Sequence, residues 1–202
     1  MGDELRISHL ARLAIAFPGL TVLANVIFMV SNASKYRDFG HQLRVAMDAA
    51  QNHQPVPVVT VPSQGAFSTL LGLFALAALV VECVWQFRAA TAARALRLPA
   101  KRSPGWGVAF WFIPIVNFWM PYQAIRDCLA PNDPNRPRVL RYWLFTVGAE
   151  IGIVLTVIAI IISTPAGVVL AILTGVSALG ILATAPQVVL SITAAHRAAV
   201  NP

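Results

Sequence analysis

Charge is scarce in this sequence. Only 11% of its 202 residues are charged, where a soluble domain carries roughly a quarter. Acidic side chains number 8, and lysine occurs only at Lys35 and Lys101 among 15 basic residues. Cysteine is rarer still: Cys83 and Cys128 are too few for a disulfide framework. There is no Walker loop, no dinucleotide fingerprint, no H-E-x-x-H helix, and no serine–histidine set with a nucleophile elbow. Enzymatic chemistry is therefore without support from the residues. His41 and His53 have no carboxylate or thiol at metal-ligand spacing, and no cofactor is expected.

What is present is apolar and comes in long blocks. Hydrophobic residues make up 57% of the chain and the mean hydropathy is +0.69. Runs of about 18 or more apolar residues predict transmembrane helices. The net charge of +7 does not point to nucleic acid, because the arginines flank these blocks as positive-inside insertion requires. We read residues 1–202 as one all-α integral membrane domain with spans over about 9–31, 66–88, 141–163 and 165–196. The first block is longer than the ~7–15 apolar residues of a cleaved signal, and its head carries Asp3 and Glu4.

Residues 34–62 form a polar insert. Tyr36, Phe39, Leu43, Met47 and Ala50 recur every three or four residues, which predicts an amphipathic helix over Lys35–Gln51. It suits either the outer leaflet surface or a protein partner. The stretch PVPVVTVP (Pro55–Pro62) must be extended, since proline fixes φ and donates no hydrogen bond. After the second span, Ala89–Leu98 lacks a breaker and continues the helix toward Arg94, Arg97, Lys101 and Arg102. Near the C-terminus, Ser163-Thr164-Pro165 separates the last two spans, with Thr164 a candidate cap and Pro165 at the first helical position. So short a loop makes those spans an antiparallel hairpin.

The stretch GWGVAFWFIPIVNFWMPYQAIRDCL (Gly105–Leu129) decides the topology. If it crosses, the chain has five spans and its cations divide seven against eight, with no inside bias. If residues 104–128 dip in and return as a re-entrant or interfacial hairpin, four spans place 12 cations inside against 3 outside, with both termini cytoplasmic. Pro114, Pro121 and Asn117 favour the hairpin, because broken backbone at membrane depth survives only beside protein or water. Trp106, Trp111, Trp119 and Tyr122 suit the interface. In this arrangement Cys128 is a cytoplasmic-side thiol.

The run W-F-x-P-x-x-N-x-x-x-P-Y, here Trp111, Phe112, Pro114, Asn117, Pro121 and Tyr122, resembles a family of actinobacterial membrane proteins known only as a domain of unknown function. The resemblance covers roughly Phe67 to Arg197. It implies a small multi-helix protein of the bacterial plasma membrane and supplies no functional residues.

Glu82 and Glu150 lie inside apolar spans, where an ionisable group must face the bundle interior and find a partner. With Gln187, Asn117 and Arg126 they are expected to form one polar intramembrane cluster. Such a cluster either clamps the hairpin in place or binds a proton or substrate. His9 and His196, near the cytoplasmic ends of the first and last spans, are the only pair suggesting axial haem ligation. Gly148 and Gly152 form a GxxxG that permits close helix approach, within the bundle or in a dimer. The reading that results is a non-catalytic subunit or scaffold of a larger membrane complex, in contact with lipid and with a protein partner or a second copy. The alternative is a small transporter or channel working through Glu82 and Glu150.

Overall fold

The computed structural model describes residues 2–62, 65–98 and 101–200, with the side chains of residues 2–16, Thr164 and Val200 outside the described set. Every regular element among the described residues is helical. The elements are α1 (Gly2–Ser31), α2 (Ala33–Gln51), α3 (Ala66–Ala95), α4 (Pro104–Ala109), α5 (Met120–Arg126), α6 (Arg136–Ile162) and α7 (Thr164–Val200). Two 3-10 turns, Phe110–Phe112 and Val116–Phe118, link α4 to α5.

Three stretches among the described residues are long and apolar enough to cross a membrane: Ala66–Ala95, Arg136–Ile162 and Pro165–Ala199. Phe17–Ser31 meets that measure only together with Ala33–Gln51, from which it is bent by 62°. The protein is membrane-embedded. At 1.5 Å per residue, α6 alone is about 40 Å long, against roughly 30 Å of hydrocarbon.

α6 and α7 run antiparallel and interlock small residues with large ones along their length. Gly180 faces the Phe145 ring, Gly148 faces Ser177, Gly152 faces Thr174, and Gly167 faces Ile160. The hydroxyls of Thr156 and Thr174 lie 3.3 Å apart between them. The GxxxG pair is thus used inside the bundle, where missing side chains let two backbones approach. On the other side of α7, α1 packs with Gly19 against Leu182. α1 also holds α3 through Phe17–Phe74 and Phe28–Phe67, whose ring centroids are 4.9 and 5.7 Å apart. The order around the bundle is α3, α1, α7, α6.

α2 crosses the end of α6. Gly40 sits on the Ile161 carbonyl, and Arg44 Nη1 donates to that oxygen at 3.0 Å, supplying an acceptor in the last turn of α6 with a donor it otherwise lacks. The expected apolar stripe is only half covered. Tyr36 and Phe39 are half-buried, whereas Leu43, Met47 and Ala50 are exposed. The extended stretch after α2 is pinned by Thr60 N–H donating to Gln42 Oε1 at 2.8 Å.

α3 stops sooner than its alanine-rich continuation predicts. It ends at Ala95, and Arg97 takes a left-handed φ of 55°. Leu98 N–H then returns to the Ala93 carbonyl at 2.9 Å, and the Leu98 side chain folds onto the core. This is a Schellman closure with arginine at the position that normally favours glycine. The apolar C″ residue, Leu98, packs on the core, the hydrophobic contact that often accompanies such a closure. α2 ends the same way, with His53 at φ 53°. The Thr164 side chain, expected to cap α7, lies outside the described residues.

Gly152 is a tightly confined point of the α6–α7 seam. Gly152→Leu is expected to lower stability by at least about 1–3 kcal/mol, the usual cost of overpacking. Thermal unfolding in detergent measures it, with Gly72→Leu, which meets open space, as the neutral comparison.

Candidate functional site

The polar side chains of the spans gather where α3 ends and α6 begins. On α3, Ala78, Glu82, Gln86, Ala90 and Ala93 recur every three or four residues and are all buried. They form one inward stripe. The Tyr142 hydroxyl, from the second turn of α6, donates to Glu82 Oε1. Trp85, Ala185, Val188 and Val189 complete the walls of a cavity of about 10 Å³ around this pair, room for about one water molecule.

One turn further along α3, Gln86 binds the Trp-rich segment with both ends of its amide. Its Nε2 donates to the Gly107 carbonyl at 3.1 Å, and its Oε1 accepts from Trp111 Nε1 at 2.5 Å. Gly107 is buried because α5 passes close by, with Ala124 Cβ 3.3 Å from where a Gly107 Cβ would stand. From the α6 side, Trp143 Nε1 donates to the Phe118 carbonyl at 2.9 Å, and its ring meets Trp111 edge-on with centroids 5.5 Å apart. The segment's two ends also meet each other. Arg102 pairs with the buried Asp127 at 3.3 Å and donates to Gln123 Oε1. The segment therefore leaves α3 and returns to α6 on one side of the bundle, as a wedge of α4 and α5 between them.

The turn of that wedge is strained. Ile115 has φ 69° and ψ −55°, and Val116 N–H closes onto the Pro114 carbonyl at 2.8 Å. This is a γ-turn of the rare positive-φ form, held by a β-branched residue that disfavours it. Around it Phe112, Ile113, Ile115, Phe118 and Trp119 are exposed.

The expected single cluster is divided. Glu82 is buried against Tyr142. Glu150 is half-buried, near enough for its charge to act on Glu82 and Tyr142, but it makes no hydrogen bond among the described residues. Gln187 is exposed, and its amide donates back to Ala183 of its own helix at 3.0 Å. Arg126 lies over the Tyr122 ring at 5.4 Å and reaches Asp127 at 3.4 Å. Asn117 buries its Oδ1 in the wedge. Of the motif residues, Trp111, Pro121 and Tyr122 face inward, while Phe112 and Pro114 face outward.

His196 donates through Nε2 to the Cys128 carbonyl at 2.9 Å, so that nitrogen closes the end of α5. The His9 side chain lies outside the described residues. Arg136 Nη2 donates to the Leu129 carbonyl at 3.3 Å and finishes the same helix end. Cys128 is 1% exposed, and burial, helped by the Asp127 charge, pushes its thiol up to about 12. It is thus a poor reporter of sidedness, buried from reagent and held in the unreactive thiol form.

Sequence reasoning missed Gln86, Asp127 and the partnership of Tyr142. Gln86 had a signal, since it stands four residues after Glu82 on the same helical face. Asp127 and Tyr142 had none, because their partners lie 25 and 60 residues away.

The chain belongs to the family described as Domain of unknown function (DUF4328), whose model matches residues 59–197. That stretch holds α3, the wedge, α6 and α7, and leaves α1 and α2 outside. No curated protein and no solved structure matches the chain.

Tyr142→Phe removes the only donor to Glu82 among the described residues and is expected to cost about 1–3 kcal/mol. Glu82→Gln keeps an acceptor for the tyrosine and is expected to cost less. Thermal unfolding of both variants in the same detergent tests this order.

Proposed function

We propose that this protein is a non-catalytic subunit or scaffold of a larger complex in the bacterial plasma membrane. The observation that carries this reading is the use made of its intramembrane polar groups. Glu82 is bonded to Tyr142 beside a cavity with room for about one water, and Gln86, Trp111 and Trp143 are committed to internal bonds in the wedge. Groups so engaged hold helices together, which is the work of a structural subunit. The outward surfaces are correspondingly rich: Leu43, Val45 and Met47 on α2 and Val56, Val58 and Val61 beyond it are exposed apolar residues.

In the membrane, α1 acts as a fourth span, and α4–α5 form a re-entrant or interfacial hairpin on the cytoplasmic side with both termini. The closing of the Arg102–Asp127 pair across the segment supports this, as does the 12-to-3 division of cations. The exposed, strained tip at Ile115 suits apolar surroundings. A second reading, a small transporter or channel, rests on the carboxyl of Glu150, which makes no hydrogen bond among the described residues.

Topology is tested at Asn132, which is exposed in the loop before α6. In a Cys83→Ser, Cys128→Ser background, Asn132→Cys is expected to resist an impermeant thiol reagent added to whole cells and to react once the cells are opened. Labelling from outside overturns the hairpin. For function, purification from native membranes in mild detergent is expected to yield a stoichiometric second polypeptide. A lone chain that carries solute flux in liposomes, and loses it in Glu150→Gln with unchanged thermal stability, overturns the subunit reading.

A further inference from the structure

Resting on that subunit reading, we infer that the face between α3 and α6, above the wedge, is the seat of a partner's transmembrane helix carrying a cationic or hydrogen-bond-donating side chain opposite Glu150. The first observation is architectural. α3 packs on α1 and α6 packs on α7, but α3 and α6 hardly touch. Their link is the Glu82–Tyr142 bond and the wedge below it. The four-helix ring is therefore open on this side.

The second observation is chemical. Glu150 stands nine residues beyond Arg141 on α6, about 13 Å along the helix and so close to the middle of a ~30 Å hydrocarbon layer. It lies seven residues after Trp143, on the same face, directly above the wedge. At that depth a carboxyl faces the protein interior or a water-filled space and has a partner. Glu150 is only half-buried and bonds to nothing among the described residues. Lipid tails cannot satisfy it, whereas a helix bearing Lys, Arg, His or an amide can.

The third observation is shape. Ser68, Gly72 and Ala75 follow one another on α3 at intervals of four and three, on the side of the helix that Glu82 also occupies. A side chain added at Gly72 would meet open space. Small residues at that spacing let a second helix come close. Below them the half-buried Leu79 and Cys83 continue the same face toward the wedge. Ala75 lies about two turns before Glu82 on α3, and Glu150 about two turns beyond Tyr142 on α6, so both stand on the side of the Glu82–Tyr142 bond away from the wedge. Thr146 and Ile153 flank Glu150 on α6, also half-buried. A recess of small residues on the same open face as one carboxyl fits an apolar helix with a single polar residue. A second copy of this chain is a poorer occupant, because the cations of its three candidate spans lie toward their ends and the amides of Asn25 and Gln187 each donate back to their own helix.

The experiment uses the full chain in its native host, with a photo-crosslinking residue at Leu79 and, separately, at Met47. We expect an adduct from Leu79 to one other protein, mapped by mass spectrometry to a transmembrane segment bearing Lys, Arg, His, Asn or Gln. Glu150→Gln is expected to lower its yield about ten-fold, and Glu150→Lys to abolish it. Replacing the partner's polar residue with Glu should restore it in the Glu150→Lys background. Thermal unfolding guards against misfolding. Should the Glu150 variants fail to fold, Gly72→Leu fills the recess without touching charge and must reduce the adduct. Adducts only to lipid, adducts only to a second copy, a partner segment with no donor, or a yield indifferent to both Glu150 and Gly72 variants overturn the inference. An adduct from Met47 with none from Leu79 overturns this seat while leaving the subunit reading standing.

Discussion

Backbone that leaves the helical pattern beside apolar spans must find hydrogen-bond partners in its neighbours, because lipid offers none. That constraint organises the end of this protein where α3, α6 and α7 converge. The segment from Pro104 to Leu129 breaks its helix twice. Carbonyls of Gly107, Phe118, Cys128 and Leu129 are met by Gln86, Trp143, His196 and Arg136 in turn. Each of these three spans contributes at least one donor to a stretch that cannot satisfy itself. The broken segment and the bundle thus require each other.

The same logic separates the two intramembrane glutamates. Glu82 sits on the inward stripe with Gln86, so it falls within reach of Tyr142 and becomes part of the clamp. Glu150, one helical face away from the α6–α7 seam, is left on the open side of the ring. Two residues alike in type and in hydropathic setting acquire different meanings because of the helix each faces. The opposite end of the bundle shows a parallel contrast: α2 anchors through Gly40 and Arg44, while its bulkier apolar residues stay uncovered.

The family match and the fold bear on each other. The matched residues, 59–197, contain the whole wedge and the three helices that supply its donors. α1 lies outside the match, yet it packs on both α3 and α7 in this chain. The description of the family assigns no activity, so function here rests on which polar groups are already engaged and which are not.

From the sequence alone, the membrane class, the helical character, the antiparallel α6–α7 pair and the irregularity of the Trp-rich segment were all legible. Each follows from local properties: long apolar runs, proline placement, short loops and the spacing of Gly148 and Gly152. The end of α3 was misjudged by three residues, because the closure depends on Leu98 finding the core. Which polar residues meet was beyond the sequence, since Glu82–Tyr142, Gln86–Trp111 and Arg102–Asp127 join residues 25 to 60 positions apart. Side-chain periodicity tells which face of a helix a residue occupies, but only the arrangement of neighbouring helices decides what that face meets. That is why Gln187, polar and set beside Pro186, turned out to point away from the cluster it was expected to join.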